Sequence, residues 1–435
     1  MKHEITNWGK YPVVETQFHE TSDILKIQKI IKESGSVIAR GNGRSYGDNS
    51  LNKENIVSTI KLNKFISFDR ENGIFECESG VILSDILDTV VPEGFFLKVT
   101  PGTKLITVGG AIGSDVHGKN NHKEGCFGDC LIDFVIITET GEIKKCSREE
   151  NSQLFWDTLG GMGLTGVVIS ARFKLKKIQT AYIRQRVLKA DNLDQIFQYF
   201  DELEKWPYSV AWIDCLQKGD KIGRSILMVG ESANLTDLPT KWKGNPLNPK
   251  KKKKLNIPFN FPSFVLNTLT VKAFNFLYYF KQRQKIINNV VDYDTFFYPL
   301  DAINNWNRIY GKNGFIQYQF IIPKEVGKKG MTEILKTIAN SGQGSFLAVL
   351  KLYKKGSPEA HNSFPIDGYS LALDFKINSK LPALVSQLDE IVEQYNGRIY
   401  LAKDSMSKKS LIDYVKVPET GKFDSVQHQR IKSNR

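Results

Sequence analysis

Three glycine-dense segments crowd the first 170 residues: "ARGNGRSYGDNS" (39–50), "VTPGTKLITVGGAIGSDVHGKNNH" (99–122) and "GGMGLTG" (160–166). Glycine lets the backbone turn its N–H groups toward one point and come close to a ligand. In the first segment Gly41, Gly43 and Gly47 are spaced one residue too widely for the dinucleotide fingerprint. No Gly-Lys-Ser/Thr follows, so it is not a triphosphate loop either. It still suits an anion cradle, with Arg40 and Arg44 adding charge; a plain glycine turn is the alternative. The third segment matches G-x-G-x-x-G at Gly161, Gly163 and Gly166. Its context is reversed, with helix-like "NSQLFWDTL" before it and strand-like "VVISARFKLKK" after, whereas the fingerprint needs strand then helix. These glycines better suit a close approach to a flat ligand. Three such loops predict one extended cofactor lying across a domain.

Around the loops the texture is mixed. "SVIAR" (36–40), "GIFECESG" (73–80) and "LIDFVIITETGEI" (131–143) read as strands, and "ILSDILDTVVP" (82–92) has helical spacing. From about residue 180 the strands lengthen. "AYIRQRVLKA" (181–190) leads to a helix at 192–205 and a strand at 208–216. Further strands are expected at 314–323, 346–355 and 369–377, flanking helices near 324–341 and 382–396. This order predicts an α+β second domain.

Hydrophobic residues form 41% and aromatic residues 11% of the 435 positions, which excludes global disorder. The formal charge of +13 and pI near 9.2 point to an anionic partner, whether phosphate, acidic lipid or nucleic acid. Cys77, Cys126, Cys130, Cys146 and Cys215 are odd in number and scattered, which suits a reducing compartment. The polar start "MKHEITNWGKYPVVETQ" lacks the apolar stretch of a signal peptide, and no run of about 18 apolar residues exists to span a membrane. The expected location is cytoplasmic, either free or peripheral on the inner face of the membrane. The basic and aromatic segment 245–285 carries five successive lysines at 250–254. It reads either as a solvated charge run beside a surface helix, or as an interfacial anchor with Phe264, Leu269, Phe276 and Phe280 at the acyl boundary. Nucleic acid is the weaker expectation, because no recognised module accompanies the patch.

The three loops, with "FGDC" (127–130), "LFWDTLGGMGLTGVV" (154–168) and "YLAKDS" (400–405), resemble the vanillyl-alcohol-oxidase-type FAD-binding oxidoreductases in order and combination. The resemblance is strongest to the branch that oxidises a lipid-linked ribose, the flavin half of a two-enzyme epimerase. It implies an α+β, two-domain PCMH-like fold: an FAD-binding domain at 1–177 completed by a C-terminal return at 398–435, and an antiparallel-sheet substrate domain at 178–397. By matching motif, Ala39, Arg40, Gly41, Asn42, Gly43, Arg44, Ser45, Tyr46, Gly47, Asp48 and Asn49 would hold the diphosphate. Gly102, Thr107, Val108, Gly109, Gly110, Ser114, Asp115, Val116 and His117 would line FAD, with Val168 near the adenine and Tyr400 near the flavin. FAD is expected to be held non-covalently. His122, Cys126 and Cys130 have a metal-like H-x3-C-x3-C spacing that lacks a fourth ligand; the resemblance instead turns His117 and Lys119 toward flavin and substrate.

Oxidising a secondary alcohol needs a proton acceptor for the hydroxyl and positive charge to steady the reduced flavin. The resemblance assigns these roles first to Lys403, then to Tyr46 and His117 as further catalytic residues. Lys119, Trp212, Gln317, Gln319, Lys351, Ser370 and Ala372 match substrate-pocket positions. Gln317 and Gln319 alternate on one strand, and Lys351 and Tyr353 on another, so each pair shares a face; Tyr353 also matches a pocket position. Ala372 and Ser370 depart from the cysteine and asparagine of the best-known relatives. The implied reaction is oxidation at C2 of a polyprenylphosphoryl-β-D-ribose to the 2-keto sugar, with an NAD(P)H-dependent short-chain reductase completing the epimerisation to arabinose. An oxidase or dehydrogenase of a soluble sugar, alditol or aldonolactone is the alternative.

Overall fold

The computed structural model describes residues 2–250, 252–407, 411, 414–416 and 421–433. The chain builds an α+β fold on three main sheets. Four strands open it, in the spatial order Lys2–Thr6, Val13–Glu20, Asn55–Ser58, Ile38–Arg40. The last three of these run parallel to one another and the first is antiparallel to Val13–Glu20, so the chain must cross over between the parallel strands. Helix Ile24–Glu33 makes one crossing. It is started by Asp23, whose carboxylate accepts the N–H groups of Leu25 and Lys26, and it buries Ile27 and Ile31.

A second sheet places Phe65–Asp69, Ile74–Glu78, Val167–Lys177, Leu131–Ile137 and Ile143–Ser147 side by side, with Phe95–Leu97 also pairing Val167–Lys177. The pairings are antiparallel throughout. Helices Leu83–Val90, Val108–Gly113 and Ser152–Thr158 pack into the apolar layer it shares with Phe127 and Phe134.

The largest sheet has eight antiparallel strands in the order Ile286–Asp292, Tyr182–Ala190, Ser225–Ser232, Tyr208–Ile213, Ala348–Tyr353, Gly368–Lys376, Phe315–Pro323, Arg398–Ile399. Side chains along its central strands alternate between two faces. Ile316, Tyr318, Phe320, Leu350, Leu352, Leu371 and Leu373 join a core with helices Leu193–Glu202, Gly327–Ser341 and Leu381–Gln394. The intervening Gln317, Gln319, Val349, Lys351, Ser370, Ala372 and Trp212 face a cavity on the other side. The expected strand and helix segments of this region form within a few residues of their sequence bounds.

Candidate active site

The cavity, of about 500 Å³, lies where the open face of the eight-stranded sheet meets the glycine loops. Register fixes its floor. Gln319 pairs with Ala372, Ala372 with Val349, and Val349 with Trp212, forming one row across four strands. Gln317 pairs with Asp374 in a neighbouring row, and Lys351 with Ser370 in another.

The loop 39–50 forms one wall. Among the described residues, no protein acceptor takes the backbone N–H groups of Gly41, Asn42, Gly43 or Arg44. All four residues line the cavity, so these donors are available to an anion. Gly43 holds a left-handed φ of 59°, which keeps the turn tight. Arg40 directs its guanidinium back to the carbonyl of Thr6, 2.7 Å away, and to the Asn7 side chain. Arg44 stacks 4.2 Å from the Trp8 ring centroid. The second loop supplies Gly102, Thr107, Gly109, Gly110, Ser114, Val116 and His117, and the third supplies Met162, Gly163 and Gly166, with Val168 just beyond.

The C-terminal return completes the site. Strand Arg398–Ile399 pairs with Phe320 and Ile321, and the turn after it presents Tyr400 and Lys403. Tyr400 donates its hydroxyl to the Ser114 carbonyl at 2.8 Å. Tyr46 N–H and Ser45 Oγ both bond to the Ala402 carbonyl, at 3.3 and 2.6 Å. Gly47 is pressed so close to the Asp404 backbone that a Cβ has no room. Behind this contact Arg430 bridges Asp48 at 3.1 Å and Asp404 at 2.7 Å.

Of the residues expected in the site, all but four line the cavity. Gly47 is turned to Asp404, and Asp48 to Arg430. Val108 is fully buried in the second core. Asp115 accepts the Gly128 N–H at 2.8 Å and the Ser363 hydroxyl at 2.5 Å. These four brace the loops from behind. The histidine and cysteines at 122, 126 and 130 part company. His122 Nε2 meets the Trp206 carbonyl at 2.9 Å, Cys126 Sγ lies 3.4 Å from the Asn121 amide, and Cys130 points to the Phe127 carbonyl at 3.0 Å.

Three lysines converge from separate segments. Burial pulls the Lys119 ammonium down to about 7, helped by Lys351. Burial alone lowers Lys351 to about 8. Lys403 falls to about 7 by burial and by Lys351, against an opposing pull from Asp374. Lys403 Nζ sits over the Tyr46 ring, and Lys119 Nζ donates to the Phe297 carbonyl at 3.0 Å. Tyr46 is pushed well above its usual range by burial, with Asp374 and Asp301 adding to it, so it stays a phenol. Burial, Lys351 and Lys403 push His117 well below its usual range, so its imidazole is neutral. That ring packs 4.8 Å from Tyr353 and 4.7 Å from Tyr400, with Nε2 placed 3.2 Å from the Gln319 amide.

Asp374 was not visible as a site residue in the sequence. Burial raises its carboxyl to about 7 despite bonds from Gln317 at 2.6 Å and Tyr310 at 3.1 Å. Its place two residues from Ala372 on the same strand face was the available signal. Trp8 and Trp306 line the cavity and were missed. Nothing in their local sequence marks them.

The residues fit FAD: unpaired backbone donors for a diphosphate, glycine loops that admit a flat ring system, and buried cations beside them. The chemistry of the set is oxidation–reduction with proton transfer. Comparison with known proteins agrees. An FAD binding domain model matches residues 14–147. Decaprenylphosphoryl-beta-D-ribose oxidase of Mycolicibacterium smegmatis is 36% identical over 92% of this chain and 88% of its own. An uncharacterized protein in the mprA 5′ region of Streptomyces coelicolor is 28% identical over 77% of this chain and 91% of its own. D-lactate dehydrogenase of Anaerostipes hadrus is 28% identical over 40% of this chain and 38% of its own. With 92% of the chain covered by the first of these matches at 36% identity, the chain belongs to the decaprenylphosphoryl-β-D-ribose oxidase family of FAD-dependent oxidoreductases.

Proposed function

We propose that the protein oxidises the C2 hydroxyl of a polyprenylphosphoryl-β-D-ribose to the 2-keto sugar. The observation that carries this reading is the convergence of Lys119, Lys351 and Lys403 on one cavity faced by Gln317, Gln319 and Trp212. An uncharged sugar needs the amides and the indole; a phosphodiester needs the cations.

The loops that present Gly41 to Arg44, Thr107 to His117 and Gly163 to Val168 would hold FAD, which would supply the acceptor for the hydride equivalent from C2. The chain's own residues do the rest. Lys403, with its pKa near 7, is available as a free amine to take the hydroxyl proton and hold it as an ammonium. Tyr46 beneath it stays protonated, and its ring face steadies the ammonium that forms when Lys403 takes the proton. Neutral His117, fixed by Gln319 and two tyrosine rings, shapes the wall without adding charge. Lys351 and Lys119 receive the phosphate, and Gln317 and Gln319 bond the sugar hydroxyls. Ser370 and Ala372 leave more room than the larger residues expected there, which supports tolerance of a modified sugar.

FAD is bound without a covalent link in this reading, supported by the close packing of the His117 ring. Acid precipitation that leaves yellow flavin on the pellet would overturn it. We divide the chain functionally into an FAD part, 1–177 with 398–435, and a substrate part, 178–397. The interlock of Ala402 and Asp404 with the loop at 45–47 supports that division. The keto product requires a second enzyme of the NAD(P)H-dependent short-chain reductase class to return hydride to the opposite face. Among the described residues no helix is long and apolar enough to cross a membrane, so a lipid-linked substrate would be met peripherally at the inner leaflet.

The test is anaerobic flavin bleaching against a panel of polyprenylphosphoryl sugars and free alditols. Bleaching by the lipid-linked ribose is expected. Bleaching by free alditols alone, with peroxide formed in air, replaces this reading with a soluble-sugar oxidase.

A further inference from the structure

Helix Thr268–Lys281 has two unlike faces. On its inner face Val271, Asn275 and Tyr279 are buried. Asn275 donates to Asp214 at 2.7 Å and Tyr279 to Asp191 at 2.8 Å, which pins the helix to the large sheet. Tyr278 packs 4.7 Å from the Trp212 ring and lines the cavity. On the outer face Leu269, Phe276, Leu277 and Phe280 are 75%, 53%, 67% and 48% exposed. Positions 269, 276 and 280 recur at helical spacing and form one stripe, with 277 at its side. Exposed Lys272 and Lys281 flank that stripe on opposite edges. Nearby, Leu255, Phe259 and Phe264 are 68%, 62% and 75% exposed.

The segment that carries this helix is one-sided in charge along the chain, with Lys252 paired to Asp292 at 2.7 Å just beyond it. Residues 238–291 contain eleven Lys or Arg and no Asp or Glu. Apolar side chains grouped on this scale are a binding surface rather than scattered surface residues. A second copy of the chain would bring the same cations face to face. A nucleic acid would meet the lysines but gives the Leu and Phe stripe no partner. An anionic bilayer satisfies both at once, with cations on headgroups and the stripe among acyl chains.

We propose that helix Thr268–Lys281 is an interfacial helix, its outer stripe seated in an anionic phospholipid surface while Tyr278 on its inner face walls the cavity. The helix then stands between bilayer and active site, and a lipid-linked substrate reaches the cavity past it. This last step rests on the substrate reading above; the docking surface does not.

The test uses full-length FAD-loaded protein and sedimentation with vesicles of phosphatidylcholine, with or without phosphatidylglycerol. Wild type should pellet with the anionic vesicles and stay in solution with the neutral ones. The triple variant Leu269→Gln, Phe276→Gln, Phe280→Gln should lose binding by about tenfold or more, with flavin content and Tm unchanged. It should also keep its bleaching rate on a short-chain, water-soluble analogue and lose rate on substrate embedded in vesicles. Wild type left in solution with anionic vesicles overturns the proposal. So does a triple variant that pellets as well as wild type, the mark of a purely electrostatic polyanion site, or one whose only change is conversion of a dimer to monomer. Stripe-dependent pelleting with no bleaching by the analogue upholds the docking surface and removes the substrate reading.

Discussion

The ammonium of Lys403 lies 3.8 Å from the centroid of the Tyr46 ring, joining the C-terminal return to the first glycine loop. Lys403→Ala should retain FAD and lose substrate-dependent bleaching by about a hundredfold or more, the usual weight of a proton acceptor. Stopped-flow absorbance under anaerobic conditions reads both. Unchanged kinetics would remove Lys403 from the chemistry.

The pH dependence follows in sign. Below about 7 Lys403 is an ammonium and cannot accept a proton; above it the amine is free. Bleaching should therefore rise with pH through about 7 and then level. Asp374 raises the Lys403 pKa, so Asp374→Asn should move the midpoint to lower pH while FAD stays bound. A midpoint that does not move uncouples the two groups.

Gly47 admits no side chain against the Asp404 backbone. Gly47→Ala should cost about 3 kcal/mol, the upper range for overpacking, and loosen FAD retention, because the loop at 41–44 loses its brace. Thermal unfolding and flavin content after gel filtration measure this.

Arg430 neutralises two buried carboxylates, Asp48 and Asp404. Arg430→Ala should destabilise by about 3 kcal/mol at neutral pH, since breaking a buried pair leaves charge uncompensated. Protonation of the orphaned acids should shrink the deficit as pH falls. Denaturant midpoints at two pH values test the sign.

All five native cysteines are buried, and Ala372 lines the cavity floor. Thiol-directed covalent inhibitors should fail on the wild type. Ala372→Cys should take up about one label per chain and lose bleaching on labelling. Mass spectrometry of the labelled protein decides it.

Much of this was legible along the chain because the signals are local. The three glycine loops, the alternation of Gln317 with Gln319 and of Lys351 with Tyr353, and the strand and helix periods depend on near neighbours and backbone sterics. Segment 245–285 was readable as basic and aromatic. Which of its residues turn outward depends on where Asn275 and Tyr279 find partners, and those lie on distant strands.

The sequence by itself determined the glycine content that frees the backbone donors, the period that puts amides on one sheet face, and a formal charge of +13. Only the tertiary structure decided that Lys119, Lys351 and Lys403 share one cavity, that the charge of Asp374 acts on Lys403, and that Arg430 ties Asp48 to Asp404. The physical reason is that burial and through-space charge set these groups' protonation, and neither exists until remote segments exclude water together.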